Sequence, residues 1–200
     1  MRSLFTRGCL ESGKGIFAGG ANYNNTELEI IGITNAADSL YAVKKAVFET
    51  GRYTGEELLS MLKNNFDGHE TDRLWLHNKI EKFGNDVAEP DELRAYIAQT
   101  TYRQFNETPA VLGGVYVPGE VIFTAHEYTG TKVGATPDGR LAGTVLADSM
   151  GACQGVDKNG PTALMRSVTR TQAARYFLTT PVLNLRFLAS VWEDAQNHSE

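Results

Sequence analysis

Two cysteines and four histidines are the side chains of this 200-residue sequence with the widest chemical range. Cys9 opens Gly-Cys-Leu-Glu-Ser-Gly-Lys-Gly over residues 8–15, close to the phosphate-cradling spacing G-x4-G-K-[S/T]. Gly15 stands where a hydroxyl would hold Mg²⁺, and SLFTR is too short for the strand that should lead in. Nucleotide binding at Gly8–Gly15 is therefore the lesser reading, and a helix end closed by glycines the better one. Cys9 with Glu11 would be a thiol beside an acid, but a packed cysteine is the more common use. Cys153 lies in a glycine-rich stretch with no histidine paired to it, so nothing marks it as an activated nucleophile. His69, His77, His126 and His198 lack metal-ligand spacing. His126 follows the expected strand VIFTA and precedes a long loop, a position where α/β proteins gather their sites. Phe123 and His126 are the candidate substrate-binding residues on that ground, with a structural histidine as the alternative. No residue is assigned a catalytic or metal-binding role.

The loop is Gly134 to Val168. Thr136-Pro137-Asp138-Gly139 is a turn in which proline presets φ and glycine supplies a positive one. Asn159-Gly160-Pro161-Thr162 is a second stop. Leu141, Val145, Leu146, Met150 and Val156 run through the stretch, so an ordered loop packed on a core is expected. Asp138 with Arg140 and Asp148 with Ser149 would fix it by mutual hydrogen bonds, the guanidinium offering a fork to a carboxylate; substrate anchoring by Arg140 is the alternative.

Elements must position these residues. A short helix is expected over Ser3–Ser12, a strand over Leu28–Thr34, and a helix from Asn35 or Thr34 to Glu49. Thr54 and Glu57 have the capping-box spacing for the next helix, and residues 70–83 continue as helix. Pro90 opens a long helix with Leu93, Ile97, Thr101 and Phe105 at four-residue steps. Strand pieces are expected in Val111–Thr124, a helix over Thr162–Thr171, a strand over Val182–Leu188 and a polar tail over 194–200. Three or four strands separated by helices indicate a parallel α/β class, too few for a closed barrel.

Bulk properties narrow the function. A net charge of −5 with no basic patch argues against nucleic-acid binding. No apolar run approaches the length of a membrane span, and no signal peptide is apparent at the start. Two distant cysteines suit reduced thiols and a cytoplasmic setting.

Six stretches taken in order carry a resemblance: GGANYN (19–24), ADSLYAVKKAVFE (37–49), KFGND (82–86), GATPDGRLAG with LADS (134–149), DKNGPTALMRSV (157–168) and PVLNLRF (181–187). Together they resemble the glycyl radical enzymes, which include pyruvate formate-lyase (formate acetyltransferase) and the glycerol, diol, choline and hydroxyproline lyases. The details look more like the dehydratase branch. The resemblance implies part of a ten-stranded α/β barrel over residues 1–193. It implies radical C–C or C–O lyase chemistry on a small organic substrate in anaerobic metabolism. It also implies a glycyl radical installed by an S-adenosylmethionine iron–sulfur activating enzyme, and a homodimeric parent. Neither radical carrier has a match: no R-V-x-G-Y loop occurs, and Cys9 precedes GGANYN too closely to be the radical cysteine. The chain thus reads as an internal barrel piece, inactive alone, that needs the remainder of the barrel. The alternative from another class is a stand-alone binding or interaction protein derived from such a barrel.

Overall fold

The computed structural model describes residues 1–176, 179 and 181–187. His198, Leu188 and the polar tail 194–200 lie outside these residues. A 3₁₀ turn Arg2–Phe5 is followed by helix α1 (Cys9–Ser12), strand β1 (Thr26–Glu29) and helix α2 (Ile33–Val43). The α2 axis continues as a π-helical segment, Lys44–Glu49, and Gly51 closes it at φ 58°. Helices α3 (Gly55–Lys63), α4 (Glu70–Asn78) and α5 (Ala88–Asn106) follow. Strand β2 (Tyr116–Gly119), α6 (Ala125–Gly130), α7 (Gly160–Arg170) and α8 (Ala173–Tyr176) complete the series.

β1 and β2 pair in parallel, in register Thr26↔Tyr116 to Glu29↔Gly119. A parallel pair needs a crossover, and here α2 to α5 supply it, with α2 packed along α5. The parallel α/β class holds, but two strands form among the described residues, where three or four were expected. The strand expected over Val182–Leu188 does not form over its described residues, 182–187. The segment still runs past the end of β2: Val182 N–H donates to the Glu120 carbonyl (3.4 Å), and its own carbonyl accepts from Met150 N–H (3.0 Å).

Local chemistry accounts for most boundaries. At α3 the capping box forms: Thr54 Oγ1 accepts from Glu57 N–H (3.2 Å) and Glu57 Oε2 accepts from Thr54 N–H (2.7 Å). The expected Ser3–Ser12 helix breaks in two at Gly8, whose φ of 93° cannot continue a helix. Leu4, Phe5 and Leu10 are consequently exposed. The strand expected over 28–34 forms over 26–29, starting two residues earlier and ending five earlier, because Gly32 turns left-handed (φ 89°) and starts α2. Thr34 and Asn35 are therefore not caps; both lie buried inside the first turn of α2.

On α5 the expected stripe Leu93, Ile97, Thr101 and Phe105 is only half-buried. The buried face carries Asp91, Arg94, Ala95, Ala98 and Tyr102 instead. Arg94 ion-pairs with Glu120 at the end of β2 and donates to Thr171 Oγ1 (3.1 Å) and Thr34 Oγ1 (3.4 Å). Tyr102 donates to the other oxygen of Glu120. A fully paired buried charge thus ties α5 to β2, α2 and the end of α7. One apolar cluster, including Tyr41, Tyr53, Leu58, Met61, Phe66 and Leu76, joins α2 to α3 and α4. A second, Ile33, Ala98, Tyr102 and Met150, joins α2, α5 and the long loop.

Candidate functional site

The long loop is built around Arg140. Its guanidinium donates to the carbonyls of Gly134 (2.5 Å), Thr144 (2.6 Å) and Val133 (3.2 Å), and to Thr136 Oγ1 (3.3 Å). The expected fork to a carboxylate does not form; the fork closes on backbone carbonyls of the loop itself. Asp138 accepts from Thr136 Oγ1 (2.5 Å) and, weakly, from Arg140 N–H (3.5 Å). Asp148 accepts from Ser149 Oγ (2.9 Å), as expected. Gly139 has φ 91°, and a Cβ there would stand 2.8 Å from the Arg73 carbonyl and from His77 Cβ, so only glycine lets this turn meet α4.

The first turn of α2 holds the next part of the loop. Thr34 Oγ1 donates to the Gly151 carbonyl (3.0 Å), and Asn35 Oδ1 accepts from Ala147 N–H (2.8 Å). Asn35 Nδ2 contacts Cys153 Sγ at 3.1 Å. One turn on, Asp38 is fully buried; its Oδ1 accepts from Phe83 N–H (2.9 Å) and its Oδ2 has no hydrogen-bond partner. Lys82, also buried, donates to the carbonyls of Leu76 (2.6 Å) and Ile80 (3.3 Å). Asn85 then ties the 82–86 turn to the loop, donating to the Val156 carbonyl (2.8 Å) and accepting from Lys158 N–H (2.8 Å).

Burial dominates the electrostatics here. It lifts the Asp38 carboxyl to about 7, against the opposing pull of the Phe83 N–H and the Lys82 charge. Burial likewise raises the Cys153 thiol, with Asp38 and Asp138 adding to it, and lowers the Lys82 ammonium. Cys153 is therefore a neutral thiol at pH 7, not an activated nucleophile.

Two cavities flank Cys153. One, of about 220 Å³, is lined by Asn35, His77, Lys82, Asp138, Arg140 and Cys153 among others. The other, of about 390 Å³, is lined by His126, Glu127, Asp148, Cys153, Asp157, Asn184 and Arg186 among others. His126 is 5% exposed on the wall of the larger cavity. Phe123 is 78% exposed with φ 45°, three residues before it, and lines neither cavity. Cys9 is packed at 4% exposure, and Glu11 Oε2 accepts from Gly8 N–H (3.0 Å) within the same turn. Gly13 closes α1 in the left-handed conformation, so Gly13-Lys14-Gly15 follows a helix end and leads only into a single 3₁₀ turn, Ile16–Ala18.

The sequence reading missed Asn35, Asp38, Lys82 and Asn85. A signal existed for one of them: Asp38 falls on the same helical face as Thr34, Ala37, Tyr41 and Ala42, all buried. A charge inside an apolar stripe is a site candidate in its own right.

With this geometry in hand, comparison with known proteins is decisive. A family model described as pyruvate formate lyase-like matches residues 1–130. The chain is 35% identical over 191 residues to trans-4-hydroxy-L-proline dehydratase of Clostridioides difficile, covering 96% of this chain and 24% of that protein. The chain belongs to the pyruvate formate lyase-like family of glycyl radical enzymes.

Other family members agree. (2S)-3-sulfopropanediol dehydratase of Klebsiella oxytoca is 33% identical over 190 residues, 92% of this chain and 23% of that one. The glycerol-bound B12-independent glycerol dehydratase of Clostridium butyricum superposes with a TM-score of 0.78 at 39% identity, over 82% of this chain and 21% of that one. The chain thus spans about a quarter of the length of the curated relatives it matches. Its open two-stranded sheet and packed helices are a portion of a glycyl radical enzyme α/β barrel. Among the described residues, no helix is long and apolar enough to cross a membrane.

Proposed function

We propose that this chain forms one wall of the barrel of a glycyl radical lyase or dehydratase acting on a small organic substrate, and that it turns nothing over by itself. The observation carrying this reading is the 35% identity across 96% of the chain to a dehydratase of which it spans 24%. The sequence holds neither radical carrier, so the rest of the barrel must supply the cysteine and glycine, and a separate S-adenosylmethionine iron–sulfur enzyme must install the radical. What these residues contribute is placement. Arg140, Asn35 and Thr34 hold the loop, and His126, beyond the end of β2, stands on the wall of the larger cavity, while Phe123 would meet substrate only from its exposed position three residues earlier. Phe5, Phe17 and Val111, at 85%, 92% and 89% exposure, offer apolar surface that the remaining barrel would cover, which supports that partner over a stand-alone binding role.

The test is complementation. A polypeptide supplying the remaining barrel of the hydroxyproline dehydratase is co-expressed anaerobically with this chain and an activating enzyme. The expected outcome is substrate-dependent product only when all three are present. Turnover by this chain alone, or no association with the remaining barrel, would refute the proposal.

A further inference from the structure

Three Lys or Arg side chains are buried among the described residues, and the fold gives a carboxylate partner to one of them, Arg94 with Glu120. Lys82, 3% exposed, and Arg140, 9% exposed, have no carboxylate within ion-pair reach among the described residues. Backbone carbonyls accept from Lys82, and carbonyls and threonine hydroxyls from Arg140. A buried charge without a counterion is rare and costly, and both of these line the smaller cavity, of about 220 Å³.

The other charges around that cavity nearly cancel. Arg73 is held by Glu70, and Arg140 offsets Asp138, whose Oδ1 accepts weakly from the Arg140 backbone N–H. Asp38 bears most strongly on Lys82 of the carboxyls, but burial lifts it to about 7, so it carries little charge below that pH. The Lys82 ammonium is the charge left over, with two of its three N–H bonds made. A second observation points the same way. His77 lines the cavity half-buried; neither ring nitrogen bonds to a protein group among the described residues, and both keep accessible surface. Burial and the Lys82 and Arg73 charges hold this ring below the usual imidazole range, so it is neutral and donates through one nitrogen. Leu141, Val145 and Val156 give the cavity an apolar side. Its volume falls below the ~300–1,000 Å³ typical of drug-sized sites, which limits the occupant to a small molecule.

We infer that this cavity binds a small monocarboxylate with a short hydrocarbon tail: the carboxylate meets the Lys82 ammonium and the His77 N–H, and the tail lies against Leu141, Val145 and Val156. The site needs no radical carrier, so complementation and binding succeed or fail separately.

Butyrate is the probe, titrated below about pH 7 into the ¹⁵N-labelled 200-residue chain while the His77 ring signals are followed by NMR. The expected result is a saturable shift with butyrate, weaker binding of acetate, and no shift with butyramide or butylammonium at equal concentration. By calorimetry, Lys82→Met, which keeps the stem and removes the charge, weakens butyrate binding at least about tenfold, and His77→Phe weakens it about threefold. No saturable shift with butyrate, an equal shift from butyramide, acetate binding as tightly as butyrate, or unchanged affinity in a folded Lys82→Met protein would each overturn the inference. Should Lys82→Met unfold, the comparison of the four small molecules and the His77→Phe affinity decide.

Discussion

Asp38 is the residue at which burial and charge conflict most directly. Its carboxyl is raised from 3.8 to about 7, so the folded protein holds a proton there that the unfolded chain releases near pH 4. The sign follows from linkage. Where the native state binds more protons, stability falls as pH rises, here through the window from about 4 to about 7, and then levels. Asp38→Asn keeps an oxygen for the Phe83 N–H and removes the titration. Urea unfolding of the variant should lose a dependence of up to ~1.4 kcal/mol per pH unit in that window. A parallel pH profile for both proteins would show that Asp38 is ionised throughout. The neighbouring Lys82 is lowered toward neutrality by the same burial, yet its two carbonyl acceptors hold the ammonium in place.

At the scale of elements, the Arg94–Glu120 pair is what fastens α5 to the end of β2. Both side chains are fully buried, and Tyr102, Thr34 and Thr171 supply further hydrogen bonds to them. Removing one partner strands a charge in the core, so Glu120→Leu should destabilise by about 3–5 kcal/mol. Adding Arg94→Met to Glu120→Leu should recover part of that loss, because an apolar pair fills the space without desolvating an ion. Chemical denaturation of the three proteins checks this, and a double variant no more stable than Glu120→Leu would contradict it.

This pair also shows why the fold was only partly legible in the sequence. Helices signalled locally were readable, with Thr54 and Glu57 at α3 and Pro90 in the first turn of α5, whereas Pro161, read as part of a stop, lies in the first turn of α7. The buried face of α5 was not, since Asp91 and Arg94 look solvated until Glu120, Ser167 and Arg170 arrive from elsewhere in the chain. The site divides the same way. The Gly139 turn could be read from its residue types, whereas His126 is singled out for following VIFTA as a strand, and VIFTA forms none: His126 lies in α6, seven residues past the end of β2. Asn35 could not be read, because its partners Ala147 and Cys153 lie 112 and 118 residues away and periodicity carries no long-range information.

For the whole molecule, the distance along the chain between the two halves of the site matters. Thr34 meets Gly151 across 117 positions, and Asn35 meets Ala147 and Cys153 across 112 and 118. Contacts of such separation close late, after local helices have formed, since the loop entropy must be met before the bonds return anything. Pulsed hydrogen exchange during refolding should therefore protect the amides of α3 before that of Ala147; simultaneous protection would argue for a single concerted step. During synthesis the ordering is stricter still. A nascent chain must extend past Cys153 before the first turn of α2 finds its permanent neighbours, and until then Thr34 and Asn35 stay hydrated on the ribosome. Assembly of the pocket is thus timed by translation, with its floor laid down more than a hundred codons ahead of its roof.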